Sequence, residues 1–122
     1  MKVSSVSDKI IFLALKNIKY GNIIIKNYNG EEVILGDKNS PLRANVKVNK
    51  PGFTLDIISK GSVGLAESYI RGDFETNNLP NLLEIAARNI NIIHKFSGMF
   101  DFQSINFIKN IFLKNTRKRS KK

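Results

Sequence analysis

The sequence has no cysteine, a single histidine (His94) and no long apolar run. Without cysteine, neither a disulfide framework nor a thiolate metal site can form, and a cytoplasmic protein is expected. The longest uninterrupted apolar run, Ile10 to Leu15, falls far short of the roughly 20 residues of a membrane-spanning helix. It follows Lys2 and Lys9 as in a signal peptide, but Lys16-Asn17-Ile18-Lys19 stands where a small-residue cleavage site belongs. The run is therefore expected to be a helix of the mature protein. Acid–base chemistry is also poorly supplied. No close carboxylate pair shares a convincing face, and His94, at the end of an amphipathic stretch, reads as a surface residue rather than a base. No Gly-x-Gly-x-Gly follows a strand, so a dinucleotide-style phosphate cradle is excluded.

What is present is one domain's worth of chain: 122 residues, 42% hydrophobic and 25% charged, a composition that folds rather than stays disordered. The formal net charge is +10. Such an excess asks for an anionic partner, either nucleic acid or the headgroups of a membrane. The abundance of Ile, Asn and Lys also fits an AT-rich coding sequence. Arg117 to Lys122 hold five basic residues, half of the net excess, and read as a solvated tail. The domain itself is expected to occupy residues 1–116.

Hydrophobic spacing predicts the elements. Ser7 can cap a helix from about Asp8 to Lys19, with Ile11, Leu15 and Ile18 on one face, widened by Phe12 and Ala14. Asn22 to Lys26 reads as a strand, Asn29-Gly30 as a two-residue hairpin turn, and Val33 to Leu35 as the return strand. From Leu42 to Asn49 apolar and polar residues alternate, as in a half-buried strand ended by Pro51-Gly52. Phe53, Ile57 and Ile58 then fall at helical spacing, with Gly61 suited to the C-terminal cap. Ser62 starts a second short helix whose inner face is expected to carry Leu65, Ala66, Tyr69 and Ile70. Phe74-Glu75 is briefly extended. Asn78 caps a helix with Pro80 in its first turn and Leu79, Leu83, Ala86, Ile90 and Ile93 at three- and four-residue steps. A final helix, about Ser104 to Lys114, carries Ile105, Ile108, Ile111 and Phe112. The expected class is α+β, a small antiparallel sheet packed by helices.

Within this frame the segment from Phe53 to Glu75 carries a specific pattern. Gly61 stands three residues before Gly64, followed by Leu65-Ala66-Glu67, the aromatic Tyr69 and Gly72-Asp73. A Leu-rich helix from Leu79 then ends in Arg88-Asn89. These residues resemble the N-terminal domain of bacterial cyclopropane-fatty-acyl-phospholipid synthases. The upstream hairpin and alternating strand fit the same family, and Asn115 to Lys122 is similar to the linker before its catalytic domain. The resemblance covers nearly the whole chain. It implies a sterol carrier protein-like layout in which sheet and helices enclose an apolar tunnel, hence lipid handling. It also implies that S-adenosylmethionine belongs to a methyltransferase domain expected after Lys122. This chain is expected to hold no cofactor and no metal and, by itself, to transfer no methyl group. A methyltransferase domain acting in trans and an anionic phospholipid surface, at the inner face of the membrane, are its expected partners.

The contact residues this implies are Gly61, Gly64, Glu67, Tyr69, Gly72 and Asp73, with a structural alternative for each. Glu67 and Arg71, four apart, can simply pair along one helix for at most about 0.5 kcal/mol. The glycines can allow tight helix packing, and Asp73 can serve a turn. Phe96, Met99, Phe100 and Phe102, around a glycine, suit a loop that wedges into headgroups beside lysines. The helix from Ile10 to Ile18, flanked by Lys9, Lys16 and Lys19, suits the same surface; the alternative for both is packing in the core or against the missing domain. The last helix, with Ile105, Ile108, Ile111 and Phe112, is expected to present an exposed docking face. A nucleic-acid reading rests on GxxG between two helices, as in KH domains. Against it, Ser62-Val63 inside the motif bears no cation. A structural relic is the remaining alternative.

Overall fold

In the computed structural model, residues 6–27, 30–50, 52–96, 98, 101 and 103–111 are described. The elements are α1 (Val6–Lys16), β1 (Asn22–Lys26), β2 (Glu32–Gly36), β3 (Arg43–Val48), α2 (Phe53–Lys60), α3 (Ser62–Arg71), β4 (Phe74–Glu75), α4 (Leu79–Arg88) and α5 (Ile90–Phe96). A further helical stretch at 103–111 is α6. The class is α+β, as the sequence predicts.

The sheet is mixed, not antiparallel. Its order is β2-β1-β3-β4. The pairs β1–β2 and β3–β4 are antiparallel, whereas β1 and β3 run parallel, from Asn22 opposite Arg43 to Lys26 opposite Lys47. The link after the hairpin is the cause. β2 ends beside the start of β1, and residues 37–42 cross that end to the other side, so β3 sets out in the direction of β1. The buried Asn22 fixes the crossing. Its Nδ2 donates to the Asp37 and Ser40 carbonyls at 2.8 and 3.1 Å, and its Oδ1 accepts from Arg43 Nε at 2.7 Å. Of the expected hairpin turn, Asn29 lies outside the described residues and Gly30 has φ of 90°.

Alternation along the strands sends Ile23, Ile25, Val33, Leu35, Ala44, Val46, Val48 and Phe74 to the helical side. The register places Glu32, Lys26, Lys47 and Glu75 in one exposed row across the opposite face. Ile18, Leu82 and Ile85 complete the core over the sheet. A second cluster joins Ala66, Leu83, Ala86, Ile105 and Ile108. Helix α4 therefore buries two sides, Leu82 and Ile85 towards the sheet and Leu83 and Ala86 towards α6. Each such leucine or isoleucine side chain contributes about 1.5–3 kcal/mol when fully buried.

Four expectations about the helices need correction. Helix α1 ends at Lys16, and Ser7 lies inside it. Its hydroxyl is 2.9 Å from Thr54 Oγ1, which itself donates to Asp8 Oδ1 at 2.6 Å, tying α1 to α2. Ile70 is exposed, because α3 buries its small residues Ser62, Gly64, Ala66 and Ser68 instead. The periodic run through Ile93 breaks at Asn89. That buried side chain accepts from the Lys19 and Tyr20 amides at 2.8 and 3.0 Å and donates to the Tyr20 and Ile85 carbonyls at 2.7 Å each. Finally, Ile105 and Ile108, expected on an open docking face, are 0% and 8% exposed. Asp101 caps α6 by accepting from the Ser104 amide at 2.7 Å, and a Ser62–Ser104 hydroxyl contact of 3.0 Å holds its start against α3. Phe107 and Ile111 form the exposed side. Phe112 lies outside the described residues.

Candidate functional site

The pattern from Gly61 to Asp73 folds as a tight helical hairpin locked to the sheet. Gly61, with φ of 61°, ends α2 and opens α3 at once, its amide donating to the Ile57 carbonyl. Gly64 is where the two helices touch. A β-carbon there would stand 2.0 Å from the Asp56 carbonyl oxygen and 2.6 Å from its carbon. The GxxG is thus a cap and a first helical turn pressed on backbone, not the open loop that a nucleic-acid phosphate requires. At the far end Gly72, φ 80°, turns the chain out of α3. The Asp73 carbonyl then accepts from the Asn49 and Lys50 amides at 2.9 and 3.0 Å, and Asn49 Nδ2 donates to the Gly72 carbonyl at 3.1 Å.

The charged residues of the pattern serve the same junction. Arg71 pairs with Asp56 at 2.6 Å and with Asp73 at 2.8 Å. It does not pair with Glu67, which meets Lys60 of α2 at 3.3 Å. The expected i,i+4 pair yields because α2 lies close enough to offer both side chains opposite partners. Tyr69 lies 5.8 Å from the buried Phe74, whose ring is 5.5 Å from Phe53. Gly61, Gly64, Glu67, Tyr69, Gly72 and Asp73 are therefore brought together as one structural unit. The partners of Asp56, Asn22, Asn89 and Thr54 are not legible in the sequence, because they are distant in the chain and no local spacing announces them.

Away from this unit the charges are uneven. Glu75 pairs with Lys47, and Glu84 with both Arg88 and Lys109. Among the described residues, Lys9, Lys16, Lys19, Lys26, Lys38, Lys50 and Lys95 make no ion pair with a carboxylate at 4.0 Å or less. Two of these lie on the outward side of α1. That side runs Val6, Lys9, Leu13, Lys16, all exposed, with Lys19 and Tyr20 exposed just beyond. The inward side holds the buried Ala14, with Phe12 and Leu15 packed on the core. The apolar run Ile10 to Leu15 thus mainly serves the domain's interior, and only Leu13 of it is exposed.

Of the expected aromatic loop, Phe96 ends α5 half-buried; Met99, Phe100 and Phe102 lie outside the described residues. His94 is exposed on α5. A shallow depression on the open sheet face is lined by Asn45, Lys47, Glu75, Thr76 and Asn77. Among the described residues no three His, Asp or Glu side chains converge as metal ligands, and no helix is long and apolar enough to cross a membrane. Fold and site together define a small α+β domain with a locked helical hairpin and a basic outer helix face. Protein-family models, curated proteins and solved structures gave no match to the chain.

Proposed function

We propose that this chain is a non-catalytic lipid-surface and docking domain, of the kind that precedes the methyltransferase of cyclopropane-fatty-acyl-phospholipid synthases. In this reading it acts at the cytoplasmic face of a bacterial membrane. Methyl transfer from S-adenosylmethionine belongs to a separate methyltransferase domain. The outer side of α6, with Phe107 and Ile111, is the docking face towards that domain. The observation that supports lipid contact is the division of charge. Asp56, Glu67, Asp73, Glu75 and Glu84 are held in ion pairs with specific cations, while seven lysines, unpaired among the described residues, are exposed. A basic residue near an anionic bilayer contributes about 1 kcal/mol, so a few acting together give measurable binding.

Co-sedimentation with vesicles tests this reading. The protein is expected to bind equimolar phosphatidylglycerol–phosphatidylcholine vesicles, to ignore pure phosphatidylcholine and to bind more weakly once residues 117–122 are removed. Equal binding to both vesicles, or to neither, would refute it.

A further inference from the structure

We infer that α1 is the element that enters the lipid surface, lying flat with Val6, Leu13 and Tyr20 immersed and Lys9, Lys16 and Lys19 at the headgroups; this rests on the lipid-surface reading above. A step of seven residues returns to nearly the same direction on a helix, with a drift of only about 20°. Val6 and Leu13 therefore share one line along α1, and Lys9 and Lys16 share the line beside it. Tyr20 is exposed as well, four residues past the end of α1, in the turn whose backbone Asn89 holds. These three apolar residues are 73%, 48% and 56% exposed, which the domain's own packing does not explain. The opposite face is anchored in the core through Ala14, Phe12 and Leu15, and the turn after the helix is clamped by Asn89. The outward stripe is thus presented on a rigid support.

Charge complementarity selects an anionic occupant. The single carboxylate on α1, Asp8, accepts a hydrogen bond from Thr54 on the side facing α2. Lys95 extends the basic surface from α5, which packs against α1. At about 16 Å in length, α1 is too short to cross a bilayer and suited to lying in its interface, where apolar side chains sink below the headgroups while lysines meet phosphate. Of the two surfaces the sequence offers for membrane contact, this assigns it to the N-terminal helix and names the side that enters.

The chain has no tryptophan, so one introduced residue reports its own surroundings. Leu13→Trp is compared with Ile70→Trp, an exposed position on α3, using equimolar phosphatidylglycerol–phosphatidylcholine vesicles with and without brominated acyl chains. The emission of Leu13→Trp is expected to shift to the blue and to be quenched by bromine, while that of Ile70→Trp stays unchanged. Val6→Asp with Leu13→Asp is expected to weaken vesicle binding at least roughly tenfold with the far-ultraviolet circular dichroism preserved, since both positions are exposed. Vesicle binding with an unshifted Leu13→Trp spectrum and an undiminished Asp variant would overturn the α1 assignment and leave the lipid-surface reading standing. Failure of the unmodified chain to bind any vesicle would overturn both. A Leu13→Trp shift on single-stranded RNA, with none on vesicles, would also overturn the assignment, by showing a nucleic-acid face.

Discussion

Gly64 and Gly72 belong to one short pattern but are required for different reasons. At Gly64 the backbone is ordinary helix, and what forbids a side chain is the carbonyl of Asp56 in the neighbouring helix. At Gly72 the space is open, with nothing within 4 Å of where a β-carbon would stand, but φ is 80°. Gly64→Ala is therefore expected to push α2 from α3 and lower stability by about 3 kcal/mol, the upper range for overpacking. Gly72→Ala should lose only about 1–2 kcal/mol, the strain of the left-handed conformation. Urea denaturation of the two variants distinguishes the cases. Equal losses would mean that the α2–α3 contact can relax at little cost. The pattern itself was legible as a unit in the sequence; which of its glycines met backbone was not, because that depends on the crossing of two helices.

Helix α6 shows what a helix's own periodicity leaves open. Ile105, Ile108, Ile111 and Phe112 mark an apolar stripe, and the stripe alone does not say whether its cover is this domain or another. In the structure Ile105 and Ile108 complete the cluster beneath α4, while Ile111 is 40% exposed. Ile108→Asp should bury an unpaired charge and unfold the domain or cost several kcal/mol. Ile111→Asp should change stability by less than about 0.5 kcal/mol. Thermal unfolding of both variants is the check, and a fully folded Ile108→Asp domain would return this face to a docking role. The break at Asn89 has the same character. The apolar spacing from Leu79 to Ile93 runs straight through it, and only the family resemblance ends the helix at Arg88-Asn89; the four hydrogen bonds that reward an asparagine there come chiefly from the loop after α1.

For the molecule as a whole, Glu84 couples α4 to α6 and makes stability depend on pH. Its carboxyl is held below the ordinary glutamate range, first by the hydrogen bond from Arg88 and next by that from Lys109, against a smaller opposing effect of burial. The folded value lies below the unfolded one. The stabilisation is therefore complete at neutral pH and is lost as pH falls through the unfolded and then the folded value. Glu84→Gln should be less stable than the unmodified protein by about 1 kcal/mol at neutral pH, the scale of partly exposed pairs. That gap should close in acid. Chemical denaturation across the acid range measures it, and a gap of constant size would show that Glu84 stabilises by packing rather than by charge.

The sequence by itself determined the α+β class, strand β1 to the residue, β4, the Asn78 cap and the two glycine-bounded helices. All of these depend on local spacing, on φ preferences and on caps that neighbouring residues supply. Tertiary structure alone decided that β3 runs parallel to β1, since this follows from where the crossing at residues 37–42 lands and not from any strand's own pattern. It also decided the partners of Arg71 and Glu67 and which part of the α6 stripe this domain covers. Charged side chains choose among carboxylates that only packing brings within reach, and an apolar helix turns its richer face to whichever core is there to receive it.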